Sequence, residues 1–363
     1  MGPAKIKKTE LTCFQMESKR IYIFLILVVM VLILIYAQTI IIPFILALLF
    51  LFLIRVIRNI LSKVKFVRRL PVWSLTLFSS ALLLFFLVFT IEMISQNIQQ
   101  LSATLPIYEA NLNRITQRIN TQFNIDISNL VSDFAQDLNF GGILSRIFST
   151  LTGLFGDAFM VLLYLIFLLI EEPILPRKIK AMYPDQKKYS RINGLIKKID
   201  KSVSNYIALK TLVSLLTGFL SYFVLLTIGV DAPLFWAFLI FVLNFIPSIG
   251  SLIATIFPTI FALLQFGDFT PAILVLTIVG TIQLIVGNLI EPRLMGSSLN
   301  ISPLVVFLTL ALWGVMWGIT GMLLSVPITV ILIIIMSEFP DTRPIAVLLS
   351  KRGDINKRQT ETD

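Results

Sequence analysis

Seven apolar stretches divide the chain, at 21–54, 72–91, 154–170, 211–228, 232–264, 272–290 and 304–336. A helix crossing a bilayer needs about 20 apolar residues. Four of the stretches have about that length and predict single helices. The first, fifth and last are 33 or 34 residues long. A straight helix of that size would measure about 50 Å against a hydrocarbon layer of about 30 Å. Each therefore predicts a long tilted helix or two helices folded as a hairpin. Turn-forming residues interrupt all three: Gln38 to Pro43, Pro247-Ser248-Ile249-Gly250-Ser251, and Trp317-Gly318-Ile319-Thr320-Gly321. Outer-membrane strands alternate apolar and polar residues, and these runs do not. The pattern predicts an all-α polytopic integral membrane protein of about eight transmembrane helices, counting broken or re-entrant hairpins.

The segments between the runs also carry helical patterning. Tyr108, Leu112, Ile115 and Ile119, then Ile127, Leu130, Phe134 and Leu138, recur at spacings near 3.6. They predict amphipathic helices, the first continuing the helix of 72–91. Residues 187–207 place Ile192, Leu195, Ile196, Ile199, Val203, Tyr206 and Ile207 on one face and Lys187, Lys188, Arg191, Lys197, Lys198 and Lys201 around it. A basic amphipathic helix beside a span is expected to lie in the headgroup layer. Packing on a partner subunit is the alternative.

Basic residues orient the map. Lys5, Lys7, Lys8, Lys19 and Arg20 precede the first run, and Arg55, Arg58, Lys63, Lys65, Arg68 and Arg69 follow it. Both flanks read as cytoplasmic, so that run enters and returns. Residues 92–153 hold only Arg114, Arg118 and Arg146 and read as external. Residues 171–207 hold nine Lys or Arg and read as cytoplasmic. Continuing the alternation, 232–264 is a hairpin entered from outside and 304–336 one entered from inside. The predicted organisation is a cytoplasmic N-terminus (1–20), a transmembrane hairpin and helix (21–91), an external helical segment (92–153), a main transmembrane region (154–336) containing the cytoplasmic helix 187–207, and a cytoplasmic tail (337–363). The first run follows Lys19-Arg20 as a signal peptide would, but its length and the lack of a small-residue cleavage site predict an uncleaved anchor.

Composition agrees with this reading. The chain is 57% hydrophobic and 14% charged, with mean hydropathy +0.91, whereas soluble domains run near half and a quarter. The net charge of +10 would suggest nucleic acid in a soluble protein. Beside apolar runs it points to anionic headgroups, with the lipid bilayer as partner and no nucleic acid. Cys13 stands alone and histidine is absent, which removes an internal disulfide and the commonest general base and zinc ligand. No Gly-Lys dipeptide forms a phosphate-cradling loop. No cofactor, metal or enzyme activity is expected. Asp126, Asp133 and Asp137 read as scattered surface acids.

Candidate chemistry sits where polar residues interrupt the C-terminal runs. Broken helices at membrane depth line cavities or are buried in protein, and secondary transporters build solute sites from them. Gly280, Gln283, Gly287 and Glu291 share one face at helical spacing, with Asn288 adjacent. Glu291 is a coupling candidate because an ionisable residue near the membrane must be neutralised; an ion pair with Arg293 or a helix stop at Pro292 is the structural alternative. Asn244 precedes the Pro247–Gly250 tip and can both donate and accept. Pro247 frees a carbonyl, and Gly250 permits a tight turn with positive φ. Gly318 and Gly321, with Thr309, Trp313, Thr320 and Ser325, mark the last hairpin. No internal repeat is visible.

Asn244-Phe245-Ile246-Pro247-Ser248-Ile249-Gly250 resembles the N-F-I-P-x-I-G motif of the autoinducer-2 exporter family, the PerM-like permeases. Gly287-Asn288-Leu289-Ile290-Glu291-Pro292-Arg293 with Gly296 resembles its G-N-x-x-x-P-R-x-x-G stretch. Trp313-Gly314, Trp317-Gly318, Gly321-Met322 and Val326-Pro327 resemble its final W-G-x-x-W-G-x-x-G-M…V-P pattern, and Pro43-Phe44-Ile45-Leu46-Ala47 its early P-F-x-x-A. Ser248 departs from a common aromatic and Ser251 from a frequent proline, which bears on the hairpin tip and the substrate. The resemblance implies a prokaryotic inner-membrane secondary transporter, with both termini cytoplasmic, that exports a small polar molecule such as autoinducer-2 and forms homo-oligomers, pentamers among them. It leaves open a sodium/proton antiporter, with sodium or a proton as the ion. A non-transporting scaffold or regulator, using the external helices, is the rival from a different class.

Overall fold

The computed structural model describes residues 21–22, 25–26, 28–63, 70–123, 158–295, 300–351 and 353. The second external helix expected over 127–138, and Asp126, Asp133 and Asp137, lie outside these residues. Among the described residues, a helical stretch over 28–36 leads into eleven helices: α1 (Gln38–Leu61), α2 (Val72–Phe123), α3 (Ala158–Glu171), α4 (Leu175–Met182), α5 (Gln186–Ile228), α6 (Pro233–Leu243), α7 (Ile249–Phe266), α8 (Phe269–Ile285), a π-turn (Val286–Ile290) running into α9 (Glu291–Met295), α10 (Pro303–Glu338) and α11 (Arg343–Leu349). Among the described residues, six helices are long and apolar enough to cross a membrane, or seven if α3 and α4, bent by 65°, form one broken span. Large apolar side chains such as Phe85, Leu215, Phe219, Phe307 and Leu312 are exposed along them. Apolar surface on this scale needs lipid to cover it.

α5 is the axis of the bundle. It is a single 43-residue helix, about 65 Å long. Asp185 caps its start by accepting from the Lys187 N–H, and Gly229, with φ +84°, ends it. The amphipathic stretch 187–207 is thus the lower part of this helix. Its apolar face is covered by protein: Val203, Tyr206 and Ile207 cluster with Ile301, Val305, Val330, Ile333 and Ile334. Packing removes the apolar stripe from water as well as lipid would.

Two hairpins lie along α5 from opposite ends. Hairpin 1 is α6 and α7. Its base is tied to the end of α5 by Gln265, which accepts from the Asp231 N–H at 2.7 Å and donates to the Gly229 carbonyl at 2.8 Å. Its tip reaches back along α5, where Asn244 Nδ2 donates to Ser214 Oγ at 3.2 Å. Hairpin 2 is α10, which breaks at Gly318 (φ +61°, ψ −143°). In a straight helix Gly321 would stand about 12 Å from the Trp313 carbonyl. Here a Cβ on Gly321 would collide with that oxygen, and Met322 packs on Gly314, so the arms run antiparallel. The base of hairpin 2 is at the start of α5. Arg191 Nε donates to Glu338 at 2.7 Å, and Ser302 and Lys351 join 300–302 to 349–351 in a short antiparallel bridge.

The tips share one device. A residue with positive φ, Ser248 (φ +60°) or Gly318, reverses the chain. A glycine then seats on a carbonyl of the incoming arm, Gly250 on Leu243 and Gly321 on Trp313. Gly250 itself is not at positive φ. The expectation of a left-handed turn there is corrected: Ser248 makes the turn, and Gly250 is needed because no side chain fits.

The remaining helices brace this core. α1 and α3 pack through Ala47, Leu51, Ile54, Val161 and Leu165. Gln38 to Pro43 all lie inside α1, and helical hydrogen bonds link Ile33, Ala37 and Ile41 across its start, so the turn expected at Gln38 to Pro43 is corrected to continuous helix. Arg55 and Arg58 both pair with Glu172, at 2.7 and 3.1 Å, and Arg55 also meets Asp200 on α5. α2 is one helix of 52 residues, unbroken beyond 91 as the spacing of Tyr108, Leu112 and Ile115 predicts. Its outer part grips hairpin 1. Asn111 Nδ2 donates to the carbonyls of Leu264 (3.0 Å) and Gln265 (2.8 Å), and the Tyr108 hydroxyl donates to Asp231 at 3.0 Å. Burial pushes the Tyr108 hydroxyl up to about 12, with Asp231 adding to the rise and the Thr104 hydrogen bond opposing it. Asp268, below the same base, caps α8, and the Thr270 N–H that it accepts lowers its pKa.

Gly250→Ala and Gly321→Ala should each lower stability by about 1–3 kcal/mol, the usual range for overpacking a tight contact. Gly194, where a Cβ meets nothing within 4 Å, serves as control. Thermal unfolding of detergent-purified protein checks this, and equal behaviour of all three variants would contradict the seats.

Candidate functional site

A polar stripe runs up α5 inside the bundle. Lys210, Ser214, Thr217 and Ser221 are spaced by four, three and four residues and are all buried, so they share one face. A lysine among apolar helices needs an opposite charge. Lys210, only 4% exposed at its side chain, meets Glu291 with Nζ–Oε1 at 2.6 Å. One turn along, Ser214 receives Asn244 Nδ2, which also lies 3.5 Å from Thr217 Oγ1. The stripe therefore binds α5 to α9 at one level and to the tip of hairpin 1 at the next.

The π-turn is what brings Glu291 to Lys210. In a continuous α-helix each residue advances about 100°. Glu291 would then stand about 80° from Gln283, and Ile290 would hold the place facing α5. The turn Val286–Ile290, closed by the Glu291 N–H on the Val286 carbonyl, absorbs one extra residue. It rotates Glu291 back into that place.

Gln283 belongs to the same region. α5 and α8 run antiparallel, and the Lys210–Glu291 contact sets their register. Eight residues, about 12 Å, above Glu291, Gln283 is level with the Thr217–Ser221 turn. Thr255 of α7 packs at Gly280, which also sets Gln283 level with the first turn of α7. Its side chain is buried, and Gln283 Nε2 and Ser221 Oγ have no hydrogen-bond partner among the described residues. Buried polar groups are rarely left alone. Ser80 Oγ, Ser204 Oγ and Trp236 Nε1 are unpartnered in the same way; Gln283 and Ser221, on the packed helices α8 and α5 at neighbouring levels, are the candidates for meeting a polar solute or water. Among the described residues, no group of three or more carboxylate or thiol side chains is placed to hold a metal ion.

The candidates from sequence sort into three groups. Asn244, Gln283 and Glu291 lie along the track, and Pro247, Ser248 and Gly250 shape the tip that carries Asn244. Gly287 and Asn288 are exposed and turned away, because the π-turn breaks the 3.6-residue repeat that placed them with Gln283. Arg293 is also exposed, so the pairing of Glu291 with Arg293 is corrected to Lys210. Gly318 and Gly321 shape a separate tip, held by Trp317 Nε1 donating to the Leu34 carbonyl at 2.9 Å. Thr309 and Ser325 bond carbonyls of their own helix. Sequence reasoning missed Lys210, Ser214, Thr217 and Ser221. Their spacing was a usable signal, a helical polar stripe inside an apolar run.

A family model for the AI-2E family transporter matches residues 23–341. The chain belongs to that family. The AI-2 transport protein TqsA of Escherichia coli (strain K12) is 35% identical over 89% of this chain and 92% of its own length. A putative transport protein of Haemophilus influenzae is 33% identical over 88% and 91%, and one of Borreliella burgdorferi 36% over 68% and 67%. The AI-2E chain is thus a multi-pass membrane transporter.

Lys210→Met should destabilise by a few kcal/mol, somewhat less than the roughly 3–5 typical of a fully buried pair, because Glu291 keeps 22% exposure. The double variant Lys210→Met/Glu291→Leu should recover most of that loss, while Arg293→Gln should change nothing. Thermal unfolding of the four proteins decides. A large loss in Arg293→Gln, or no recovery in the double variant, would contradict the pairing.

Proposed function

We propose that this chain is a secondary transporter that exports a small polar solute along the α5 stripe, with AI-2 as the first candidate. The single observation that carries the reading is the buried row Lys210, Ser214, Thr217 and Ser221, met by Asn244 and Glu291 between hairpins that open at opposite ends of α5. Asn244, Gln283 and Ser221 would hold the solute by hydrogen bonds, a donor and acceptor set suited to hydroxyl and carbonyl groups. Pro247, Ser248 and Gly250 on one tip, and Gly318 and Gly321 on the other, would shape the path. Glu291 with Lys210 would take part in coupling to a proton or sodium gradient. The similarity to the relative named AI-2 transport protein supports the substrate.

The antiporter reading is less favoured on this geometry. A cation at Glu291 would have to displace the Lys210 ammonium. The scaffold reading leaves the orphaned Gln283 and Ser221 without purpose.

Contacts between segments support the orientation. Arg55, Arg58, Glu172 and Asp200 meet one another, as do Arg191 and Glu338, and all read as cytoplasmic by their flanking charge. Tyr108 and Asn111 meet Asp231, Leu264 and Gln265, all on the side read as external. We place both termini in the cytoplasm, the chain in the inner membrane, and the working form as a homo-oligomer, a pentamer by the family resemblance.

Purified protein in liposomes loaded with AI-2 should release it faster when a proton or sodium gradient is imposed. Asn244→Ala should cut that rate by about tenfold, the scale of one lost hydrogen bond in a buried site. In the same vesicles Glu291→Gln should bind solute yet lose dependence on the gradient. Sodium–proton exchange without AI-2 release would favour the antiporter, and neither activity would favour the scaffold. In cells, a cysteine at position 188 should label only after permeabilisation; labelling from outside would invert the map.

A further inference from the structure

The π-turn at 286–290 is unnecessary for the stability of an isolated helix. It spaces its hydrogen bonds as i to i+5, a rare arrangement that recurs at functional sites. Its gain is the aim of Glu291. The turn and the ion pair therefore depend on each other. Without the turn, Glu291 points about 80° away from the line of Gln283; without Lys210, nothing holds the extra residue in the turn.

The surroundings leave room for the turn to relax. A Cβ on Gly287 would meet nothing within 4 Å, and Asn288 and Leu289 are exposed. Beyond the turn, α9 has only five residues, Glu291–Met295. Met295 packs into the cluster that holds Tyr206 and Ile207, while Leu294 is exposed. Rotating α9 by one residue, about 100°, would replace Glu291 by Ile290 opposite Lys210 and Met295 by Leu294 against the cluster that holds Ile207. Both incoming side chains are apolar and of similar size. The second register exchanges apolar side chains of similar size and leaves Lys210 without its partner.

We propose that the turn 286–290 converts between π and α registers, and that making or breaking the Lys210–Glu291 pair drives the conversion. The pair closes the lower end of the polar track in the π register. In the α register Glu291 swings out beside the exposed Asn288 and Arg293, and the track opens at that end. This deepens the transport reading and rests on it, by naming the part that moves. Coupling then needs no new contact to solute. Any event that neutralises Glu291 releases the turn, and re-pairing resets it. The groups facing Glu291 are Lys210 and Tyr206 from α5, with Arg293 on its own helix.

Disulfide trapping reads the register directly. In a Cys13→Ser background, Ile207→Cys with Met295→Cys reports the π register, and Ile207→Cys with Leu294→Cys reports the α register. With Lys210 and Glu291 intact, the 207–295 bond should dominate. With Lys210→Met/Glu291→Leu added, the ratio of 207–294 to 207–295 cross-linking should rise by at least about tenfold. A ratio unchanged by removal of the pair would overturn the switch. The double variant is also the one expected to keep its stability, and a thermal scan alongside the trapping shows whether it is folded; should it be unfolded, Glu291→Gln with Lys210 intact is read in the same way and must show the same rise. The two readings separate cleanly. A fixed register with gradient-dependent AI-2 release would leave the transport reading standing and remove the switch. A shifting register without any AI-2 release would do the reverse.

Discussion

A lysine ammonium inside an apolar bundle must be neutralised nearby, and the architecture around α5 follows from how that is done. Lys210 sits within a turn of the longest apolar part of α5, where lone charges are strongly disfavoured. Its partner comes from another helix, and reaching it takes an extra residue in the turn 286–290. That one contact sets the register of α5 against α8. It places Gln283 opposite Thr217 and Ser221, and it closes one end of a polar row whose other members are uncharged. Above it, Ser214 and Asn244 repeat the arrangement with a hydrogen bond in place of a charge.

The hairpins supply the second constraint. Backbone groups at membrane depth have no water to turn to, so a break in a helix must satisfy itself or line a cavity. Both tips meet this by the same means, a reversed residue followed by a glycine on a carbonyl. They use it with unrelated sequences, Pro-Ser-Ile-Gly in one and Gly-Ile-Thr-Gly in the other. Their bases are anchored at opposite ends of α5, one by Gln265 and the outer part of α2, the other by Arg191 and the bridge to 349–351. An AI-2E transporter built this way has two half-spans meeting its central helix from either side, with a polar row between them.

Much of this was legible in the residues. Run length and the Pro/Gly interruptions located both hairpin tips, and basic residues grouped segments that the structure joins by contacts. Three features were hidden for physical reasons. The change from basic to apolar composition near 207–211 suggested a boundary, but helix hydrogen bonding is indifferent to it, and α5 runs straight through. The π-turn has no sequence signature in a single chain, so extrapolating a 3.6-residue repeat placed Gly287 and Asn288 on the wrong side. Lys210 falls between the basic segment 171–207 and the apolar run that starts at 211, and nothing local marks it, because its partner on α9 is distant in the chain.

The proposed solute path along the α5 stripe must admit water into an apolar bundle. Single cysteines in a Cys13→Ser background test it, at 214, 217 and 221 on the stripe and at 212, 215 and 219 on the exposed apolar face. A small charged thiol reagent should modify the first set during transport, and solute should protect it, while the second set stays unreactive in lipid. Modification of 212, 215 and 219 with silence at 214, 217 and 221 would contradict the account.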